Sequence, residues 1–154
     1  MFDFEKVQEK FNRLLSIRIK DITVIDSENV SFELNFDNDI KLLVNCFLRL
    51  TLKNKIILTS CDKRVSDLKD QQTDILLSDT LIKANTLIRD RAVSDVFIGK
   101  DGNITIRLEN EAKFFIVPDC QFNEYEFYIL SDENNKNVVA KFVTGKLDCE
   151  VNEI

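Results

Sequence analysis

Apolar and polar residues alternate along much of this chain. Val30–Phe36 and Ile104–Leu108 both place an apolar residue at every second position, which is the period of a β-strand that buries one face. The Asp101-Gly102 pair before the second stretch is typical of a β-hairpin turn. Comparable apolar stretches predict further strands at about Ile40–Cys46, Lys55–Ser60, Ala112–Val117, Tyr125–Leu130 and Val138–Val143.

This pattern recurs within the chain. Ile19–Leu34 aligns without a gap on Val93–Leu108, with matching apolar positions and with Asp21 opposite Asp95. A repeat of this kind sets the architecture of a protein. We predict two related units, at about 1–62 and about 75–132, and a C-terminal strand at 138–143 outside the repeat.

The first strand of each unit breaks the period of two at the same place. Ile19 and Ile22 cannot share a face unless an extra residue lies between them, and the equivalent pair of the second unit has the same problem. The break predicts a β-bulge near Lys20-Asp21 and another near Ser94-Asp95. A site formed by the two aspartates is the functional alternative.

Helical spacing precedes each unit. The first predicted helix has an apolar face formed by Phe4, Val7, Phe11, Leu14 and Leu15. The second has Leu81, Ala84, Asn85 and Ile88 on one side, and Ser78 or Asp79 is its expected N-cap. A polar stretch at Cys61–Thr73 is expected to link the two units. The expected fold class is α+β: two pseudo-symmetric, mostly antiparallel β-meanders, each preceded by a helix, packed into one domain over 1–154. The pattern leaves open whether they form a barrel, a sandwich or one curved sheet.

Composition removes several kinds of chemistry. The 154 residues include no histidine, three glycines and one proline, which excludes a histidine base, a histidine-ligated zinc and a glycine-rich phosphate loop. The four cysteines show no paired spacing of the kind that disulfide-rich or metal-binding proteins have. The N-terminus does not resemble a signal peptide. No stretch reaches the roughly 18 apolar residues of a membrane span. We expect a cytoplasmic protein that is not an enzyme and has no cofactor, metal site or membrane partner.

The charge is unevenly distributed. The formal net charge is -6, and residues 77–154 carry 14 acidic and 9 basic residues, against 13 and 12 in residues 1–76. An acidic surface disfavours nucleic acid as a ligand and favours a basic protein partner. Solubility alone is the simpler interpretation of the same charge.

The densest aromatic and acidic cluster is Glu124–Tyr128. If it alternates as one strand, Tyr128 shares a face with Glu124 and Glu126, opposite Phe127. The structural interpretation is a half-buried strand, and the functional one is an acidic edge on which Tyr128 anchors a basic partner. The candidate binding residues are Glu109, Glu111, Glu124, Glu126 and Tyr128.

The second unit contains, in order, Leu87-Ile88, Asp101–Leu108, Glu109-Asn110, Phe114–Pro118 and Tyr125–Tyr128. This series resembles a small β-meander domain that is common in bacterial genomes. Many such domains resemble immunity proteins encoded beside polymorphic or contact-dependent toxins, and Leu14–Ser60 is a more diverged version of the same pattern. The resemblance implies a toxin-binding protein and implies no catalytic residues.

Three functions are therefore considered. The first is an immunity protein that neutralises a cognate, basic bacterial toxin, such as a nuclease, through the five candidate residues. The second is a non-catalytic structural or adaptor module that self-associates, as a homodimer, through its sheet edges. The third is a histidine-free enzyme or small-ligand barrel, which needs a deep pocket with two or more carboxylates of raised pKa.

Overall fold

The computed structural model describes residues 2–26, 31–60, 71–118, 126–133, 135–143 and 146–151. Within these ranges the helices are α1 (Phe4–Phe11), which continues into a 3-10 turn at Asn12–Leu14, and α2 (Gln71–Ile88). The strands are β1 (Ile19–Asp26), β2 (Ser31–Phe36), β3 (Ile40–Val44), β4 (Phe47–Leu52), β5 (Lys55–Thr59), β6 (Val93–Ile98), β7 (Ile104–Leu108), β8 (Ala112–Val117), β9 (Glu126–Asp132), β10 (Asn135–Val143) and β11 (Lys146–Val151).

The strands form two antiparallel sheets. Sheet A has the order β1-β2-β3-β9-β10-β11, and sheet B has the order β5-β4-β8-β7-β6. Each sheet therefore contains a three-stranded meander from one half of the chain and neighbouring strands from the other half. The prediction of mostly antiparallel pairing is confirmed, and the sheets pack as two layers around one core.

The chain changes sheet at a corner between β3 and β4. β3 ends at Val44 in sheet A, and β4 begins at Phe47 in sheet B. Asn45 fixes the corner, because its backbone N–H donates to the carbonyl of Phe127 (2.8 Å) and its Nδ2 donates to that of Glu126 (2.9 Å). A strand predicted over Ile40–Cys46 therefore ends two residues early.

The sequence pattern does not predict β4 or β11. No glycine or proline separates β3 from β4, so the two strands appear in the sequence as one apolar run. The turn after β4 consists of Lys53 and Asn54, both with positive φ (51° and 65°), as a two-residue type I′ hairpin requires. Charged residues occupy half of β11 and hide its period.

Both predicted β-bulges are confirmed. In β1 the register with β2 shifts just after Ile19, which leaves Lys20 as the extra residue. In β6 the register with β7 shifts just after Val93, which leaves Ser94 as the extra residue. The bulges return the following apolar positions to the core side of each sheet. Their two aspartates lie on different sheets, so they do not form the alternative carboxylate site.

The core follows the alternation in the sequence. The buried positions of β2 and β7 are Phe32, Leu34, Phe36, Ile104, Ile106 and Leu108, each at most 2% exposed. Burial of one such side chain contributes about 1.5–3 kcal/mol. The inward faces of the two meanders together hold a large part of the hydrophobic cluster.

The helices close the two open sides between the sheets. α1 begins at the N-cap Asp3, whose carboxylate accepts from the backbone N–H of Lys6 (3.2 Å), and it packs Val7 and Phe11 toward β6, β10 and β11. α2 packs toward β1 and β5 and buries Ala84. Neither of these helices combines the length and the apolar character needed to cross a lipid bilayer.

α2 corrects one expectation. The helix is already formed at Gln71, so neither Ser78 nor Asp79 is its N-cap. Serine and aspartate in a helix interior cost only a few tenths of a kcal/mol relative to good helix formers, and the contacts of α2 with two edge strands outweigh that cost. Residues 61–70 of the predicted polar link lie outside the described residues.

Amide side chains from the helices occupy two sheet edges. Gln8 in α1 donates from Nε2 to the carbonyl of Val96 (2.8 Å), and its Oε1 accepts from the N–H of Ile98 (2.8 Å). Asn85 in α2 accepts from the N–H of Ile22 (2.8 Å) and donates to the carbonyl of the same residue (3.0 Å). Backbone groups that a neighbouring strand would otherwise use are thereby satisfied at β6 and β1.

The first strands of the two meanders meet through reciprocal hydrogen bonds. The N–H of Ser16 donates to the carbonyl of Val93, and the N–H of Asp90 donates to that of Ile19, each at 2.9 Å. In the gapless alignment of the two units, Ser16 corresponds to Asp90 as Ile19 corresponds to Val93. Ser16 and Asp90 also share a positive φ, 68° and 63°. Equivalent positions of the proposed repeat thus make equivalent contacts.

Candidate functional site

The outward-facing residues of the two sheets differ in charge. Along each strand these residues alternate with the core positions, so their faces follow from the register. Sheet A presents what we call the acidic face, which carries five carboxylates, those of Asp21, Glu33, Glu126, Asp148 and Glu150, and the exposed cations Lys20, Lys41, Lys136 and Lys146. The register also places Lys141 between Glu126 and Asp148 in one row of this face. Sheet B presents the aromatic-basic face: Arg49, Phe97, Arg107, Lys113 and Phe115, with Asp95 as its acid.

The acidic face is held on rigid strands. Glu33 on β2 and Glu150 on β11 belong to one cross-strand row, with Leu43, Ile129 and Val139 between them. Four strand spacings of about 4.8 Å put these two glutamates about 19 Å apart. The acids therefore span the breadth of an interface patch rather than a point site.

Two acids of this face have partners within the sheet. Lys41 Nζ lies 3.8 Å from Glu33 Oε1, and Nδ2 of Asn35 donates to Asp21 Oδ1 at 2.6 Å. An exposed ion pair of this kind contributes only about 0–1 kcal/mol. Both carboxylates remain partly accessible, so they can still contribute to binding.

An open cleft of about 800 Å³ lies at one end of the aromatic-basic face. The turn Lys53-Asn54 forms one wall and the loop that carries Glu109 and Glu111 forms another, while Arg107 and Lys113 lie on the floor. Three cations and two carboxylates line it, on a chain whose net charge is -6. The cleft is thus a local reversal of the overall charge, suited to an anionic group.

The loop between β7 and β8 fixes Glu109 and Glu111. The N–H of Glu109 donates to the carbonyl of Ala92 (3.0 Å), and the N–H of Glu111 donates to that of Leu108 (3.2 Å). Asn110 between them donates to the carbonyl of Leu87 at the end of α2 (2.8 Å). Both glutamates are exposed, so two of the candidate residues lie on one turn that backbone hydrogen bonds hold in place.

Tyr128 is a correction. Its side chain is fully buried, its hydroxyl donates to the carbonyl of Gly102 (3.1 Å), and its ring packs edge-on against Phe11 at 6.0 Å. Burial raises the pKa of its phenol above the ordinary 10.0. Tyr128 is therefore a core residue that joins sheet A to the β6–β7 turn, and it is not a surface anchor.

A bulge in β9 explains the error. Tyr128 pairs with Ala140, and Glu126 pairs with Lys141, so Phe127 is an extra residue on β9. Such a bulge turns both residues at the break toward the same side. Phe127 and Tyr128 both enter the core cluster, and Glu126 remains half-buried on the outer face. The prediction that Tyr128 shares a face with Glu126, opposite Phe127, is therefore wrong.

The candidate residues do not form one surface. Glu111 directly precedes β8, whereas Glu126 lies by the corner residue Asn45, near the far end of that strand. The six residues of β8 separate the two ends by about 17 Å. Glu124 lies outside the described residues. Glu126 thus belongs to the acidic face, and Glu109 and Glu111 belong to the cleft.

The described thiols serve packing. Cys46 is 2% exposed, and Cys149 is partly buried on β11 beside the core. Burial raises the pKa of the Cys149 thiol above its ordinary 9.0, which opposes formation of a nucleophilic thiolate. In the ranges that the structure describes, no three histidine, cysteine or acidic residues are grouped as metal ligands.

The acidic face is a candidate binding surface that sequence reasoning missed. Its acids are dispersed through the sequence from Asp21 to Glu150, and only the register of six strands assembles them. The signal that the sequence did contain is that these acids alternate with the core residues of their own strands. Comparisons of the chain with protein-family models, with curated proteins and with solved structures found no match.

Proposed function

We propose that this chain is a cytoplasmic immunity protein that binds and neutralises a basic protein toxin through the acidic face of sheet A. The observation that carries the proposal is the collection of five carboxylates on one side of one sheet. A nuclease is the toxin that this surface fits best, because its active site is basic in order to bind phosphate. Opposite fields would accelerate encounter and align the two proteins.

The reciprocal hydrogen bonds of Ser16 and Asp90 support a scaffold of two pseudo-symmetric halves in which both halves contribute strands to both sheets. Each half would contribute a meander to one sheet and hairpin strands to the other. Such a scaffold has two outer faces that are equivalent in architecture. Packing constrains their inner sides, so the outer sides are free to acquire different charges and different partners.

The self-associating module is less well supported. It requires free sheet edges, but Gln8 and Asn85 occupy backbone groups of β6 and β1, two of the four edge strands of the described sheets. An edge strand whose donors and acceptors are used by side chains is a poor template for a second copy. We therefore retain the immunity protein as the proposed function.

The test uses the protein encoded by the gene next to this one. Its expression alone should arrest growth, co-expression of this chain should restore growth, and the two purified proteins should form a complex that salt weakens. A neighbouring protein that is not toxic, or toxicity that this chain does not relieve, would contradict the proposed function.

A paired variant tests the face itself. Glu33→Lys with Glu150→Lys reverses two acids of one row and should lower the affinity for the toxin at least tenfold and flatten its salt dependence. The control is Glu9→Lys with Asp79→Lys, which makes the same charge change at exposed helix positions and should reduce affinity less than threefold. Equal effects of the two variants would show that only net charge matters and would contradict the assignment of the face.

A further inference from the structure

The aromatic-basic face of sheet B has a feature that the proposed toxin binding does not use. Phe97 on β6 is 62% exposed, and it is the aromatic side chain with the greatest exposure in the ranges described. Its neighbours Val96 and Ile98 point into the core at 5% and 2% exposure. Packing therefore does not explain the phenylalanine, and a large apolar ring in water indicates a contact surface.

Phe97 belongs to a row that crosses four strands. It pairs with Thr105, Thr105 pairs with Phe115, and Phe115 pairs with Arg49. Two strand spacings place the backbones of the two phenylalanines about 10 Å apart. The residue between them in the row is the smaller Thr105.

Arg49 holds the second ring in place. Its guanidinium carbon lies 5.5 Å from the centroid of the Phe115 ring, a cation–π contact. The guanidinium plane extends the ring row and can itself stack on a planar ligand. The row thus presents three flat groups, Phe97, Phe115 and Arg49, along one line of the sheet.

The next row supplies cations. Arg107 and Lys113 pair directly with each other across β7 and β8, two residues along their strands from Thr105 and Phe115. Like charges directly opposite each other destabilise a sheet, and in the described part of the chain no carboxylate lies within 4.0 Å of either one. An anionic ligand would relieve this repulsion, and the cleft of about 800 Å³ opens above the same two residues.

We propose that the aromatic-basic face binds a short segment of single-stranded nucleic acid, with bases on Phe97 and Phe115 and phosphates at Arg107 and Lys113. Stacking platforms beside a cationic groove are the recurrent way in which proteins bind unpaired strands. Acidic protein segments would satisfy the cations but not the exposed rings. The overall charge of -6 disfavours this ligand, whereas the aromatic-basic face itself carries three cations and one acid, Asp95.

The acids near the site limit its extent. Asp95 flanks Arg107 on the edge strand, and Glu109 and Glu111 form the far wall of the cleft. They repel phosphate, so the strand must run along the row of rings rather than out through the loop. The site therefore holds about two or three bases, as do the sheet platforms of known RNA-binding domains. This inference does not depend on the proposed function, because the two faces lie on different sheets.

The experiment titrates the full chain into fluorescein-labelled dT12 and rU12 and follows anisotropy. Saturable binding is expected with at least one of the two probes. With about two phosphates neutralised, raising the salt from about 50 to 200 mM should weaken binding about sevenfold. Duplex DNA of the same length should bind more weakly, because its bases are not available for stacking.

Variants separate stacking from general stickiness. Phe97→Leu keeps the apolar bulk but removes the ring, and it should weaken oligonucleotide binding about fivefold or more, whereas Phe97→Trp should retain it. Ile25→Ala is the matched control, because Ile25 is similarly exposed at 54% on sheet A. Arg107→Ala should reduce the salt dependence, and Lys136→Ala, at an exposed cation of sheet A, should leave it unchanged.

Three results would overturn the proposal. They are the absence of binding to either probe at about 50 mM salt, equal binding by Phe97→Leu and the parent protein, and complete competition by a polyglutamate peptide at equal charge concentration. The last result would show that the face recognises only negative charge, as on an acidic protein. Failure of the toxin test leaves these results unaffected, so the two proposals can fail separately.

Discussion

The two meanders, β1–β3 and β6–β8, share their inner design and differ on their outer faces. Each has a bulge after its first residue, a helix amide on its first strand and three apolar residues on its middle strand. The outer face of β1–β3 carries as many acidic as basic side chains, whereas that of β6–β8 carries Arg107 and Lys113 with one acid, Asp95. The difference shows that packing restricts the inner face to a few solutions, while solvent allows the outer face to diverge.

The largest expected effect tests the likeness of the two cores. Leu34→Ala in β2 and Leu108→Ala in β7 remove side chains at equivalent positions, 0% and 2% exposed. Each should lower the free energy of unfolding by about 2–5 kcal/mol through lost burial and a cavity. Chemical denaturation measures both, with Ile25→Ala at an exposed site as the control. If one loss exceeds the other by more than about 2 kcal/mol, the two cores do not respond alike and the comparison fails.

A slightly smaller effect is expected at the turn between β6 and β7. Gly102 has φ +84°, and a Cβ there would overlap Cδ2 of Leu147 on β11. Gly102→Ala should therefore cost roughly 2–4 kcal/mol, from overpacking and from an unfavourable φ. In the control Gly99→Ala, the new Cβ would approach the tip of the Asp101 side chain and would lie in ordinary contact with Asn103. Similar thermal shifts for the two variants would contradict this role of Gly102.

Tyr128 ties the same turn to sheet A, and its removal should cost less. Tyr128→Phe leaves the carbonyl of Gly102 buried without its donor, at a cost of about 1–3 kcal/mol. Denaturant unfolding at pH 7 measures the loss. No loss would mean that the hydrogen bond from the Tyr128 hydroxyl contributes no net stability.

The same residue predicts a pH dependence. Burial raises the pKa of Tyr128 above 10.0 and that of Cys149 above 9.0. The folded state holds both protons more tightly, so stability is full below about pH 9 and falls as the pH rises, by up to about 1.4 kcal/mol per unit for the buried Tyr128 and by less for the partly exposed Cys149. Tyr128→Phe should reduce this slope above pH 10. An unchanged slope would contradict the burial of the phenol.

The smallest effect concerns the two helix amides. Gln8→Ala and Asn85→Ala should each cost about 1 kcal/mol, because solvent can reach the edge groups that they leave free. The two values should agree within about 0.5 kcal/mol if the helices have equivalent roles. In the double variant, open edges should produce concentration-dependent dimers in sedimentation experiments. A monomeric double variant would show that these amides do not protect the edges.

Local chemistry was largely evident in the sequence. The alternation of β2 and β7 predicted their buried faces, the broken period at Lys20 and Ser94 predicted two bulges, and the Asp101-Gly102 pair predicted a hairpin. Glu109 and Glu111 were predicted as toxin-binding residues; the structure places both at the cleft, and their role in binding stays a prediction. These features depend on residues that are close together in the chain.

The features that sequence reasoning missed depend on distant residues. The bulge at Phe127 forms against β10, and it reverses the expected side of Tyr128. The rows that unite Glu33 with Glu150, or Phe97 with Arg49, exist only after strands from both halves pair. No local pattern encodes such neighbours, since a period of two specifies a face and not a partner strand.

The sequence by itself therefore determined which residues turn inward, where each meander bends and which turns are tight, because backbone sterics and apolar spacing act over a few residues. The tertiary structure alone decided that β4 and β9 cross to opposite sheets and which charges share an outer face. That choice depends on long-range pairing, in which the apolar area buried between two sheets must exceed the entropy lost in closing long loops.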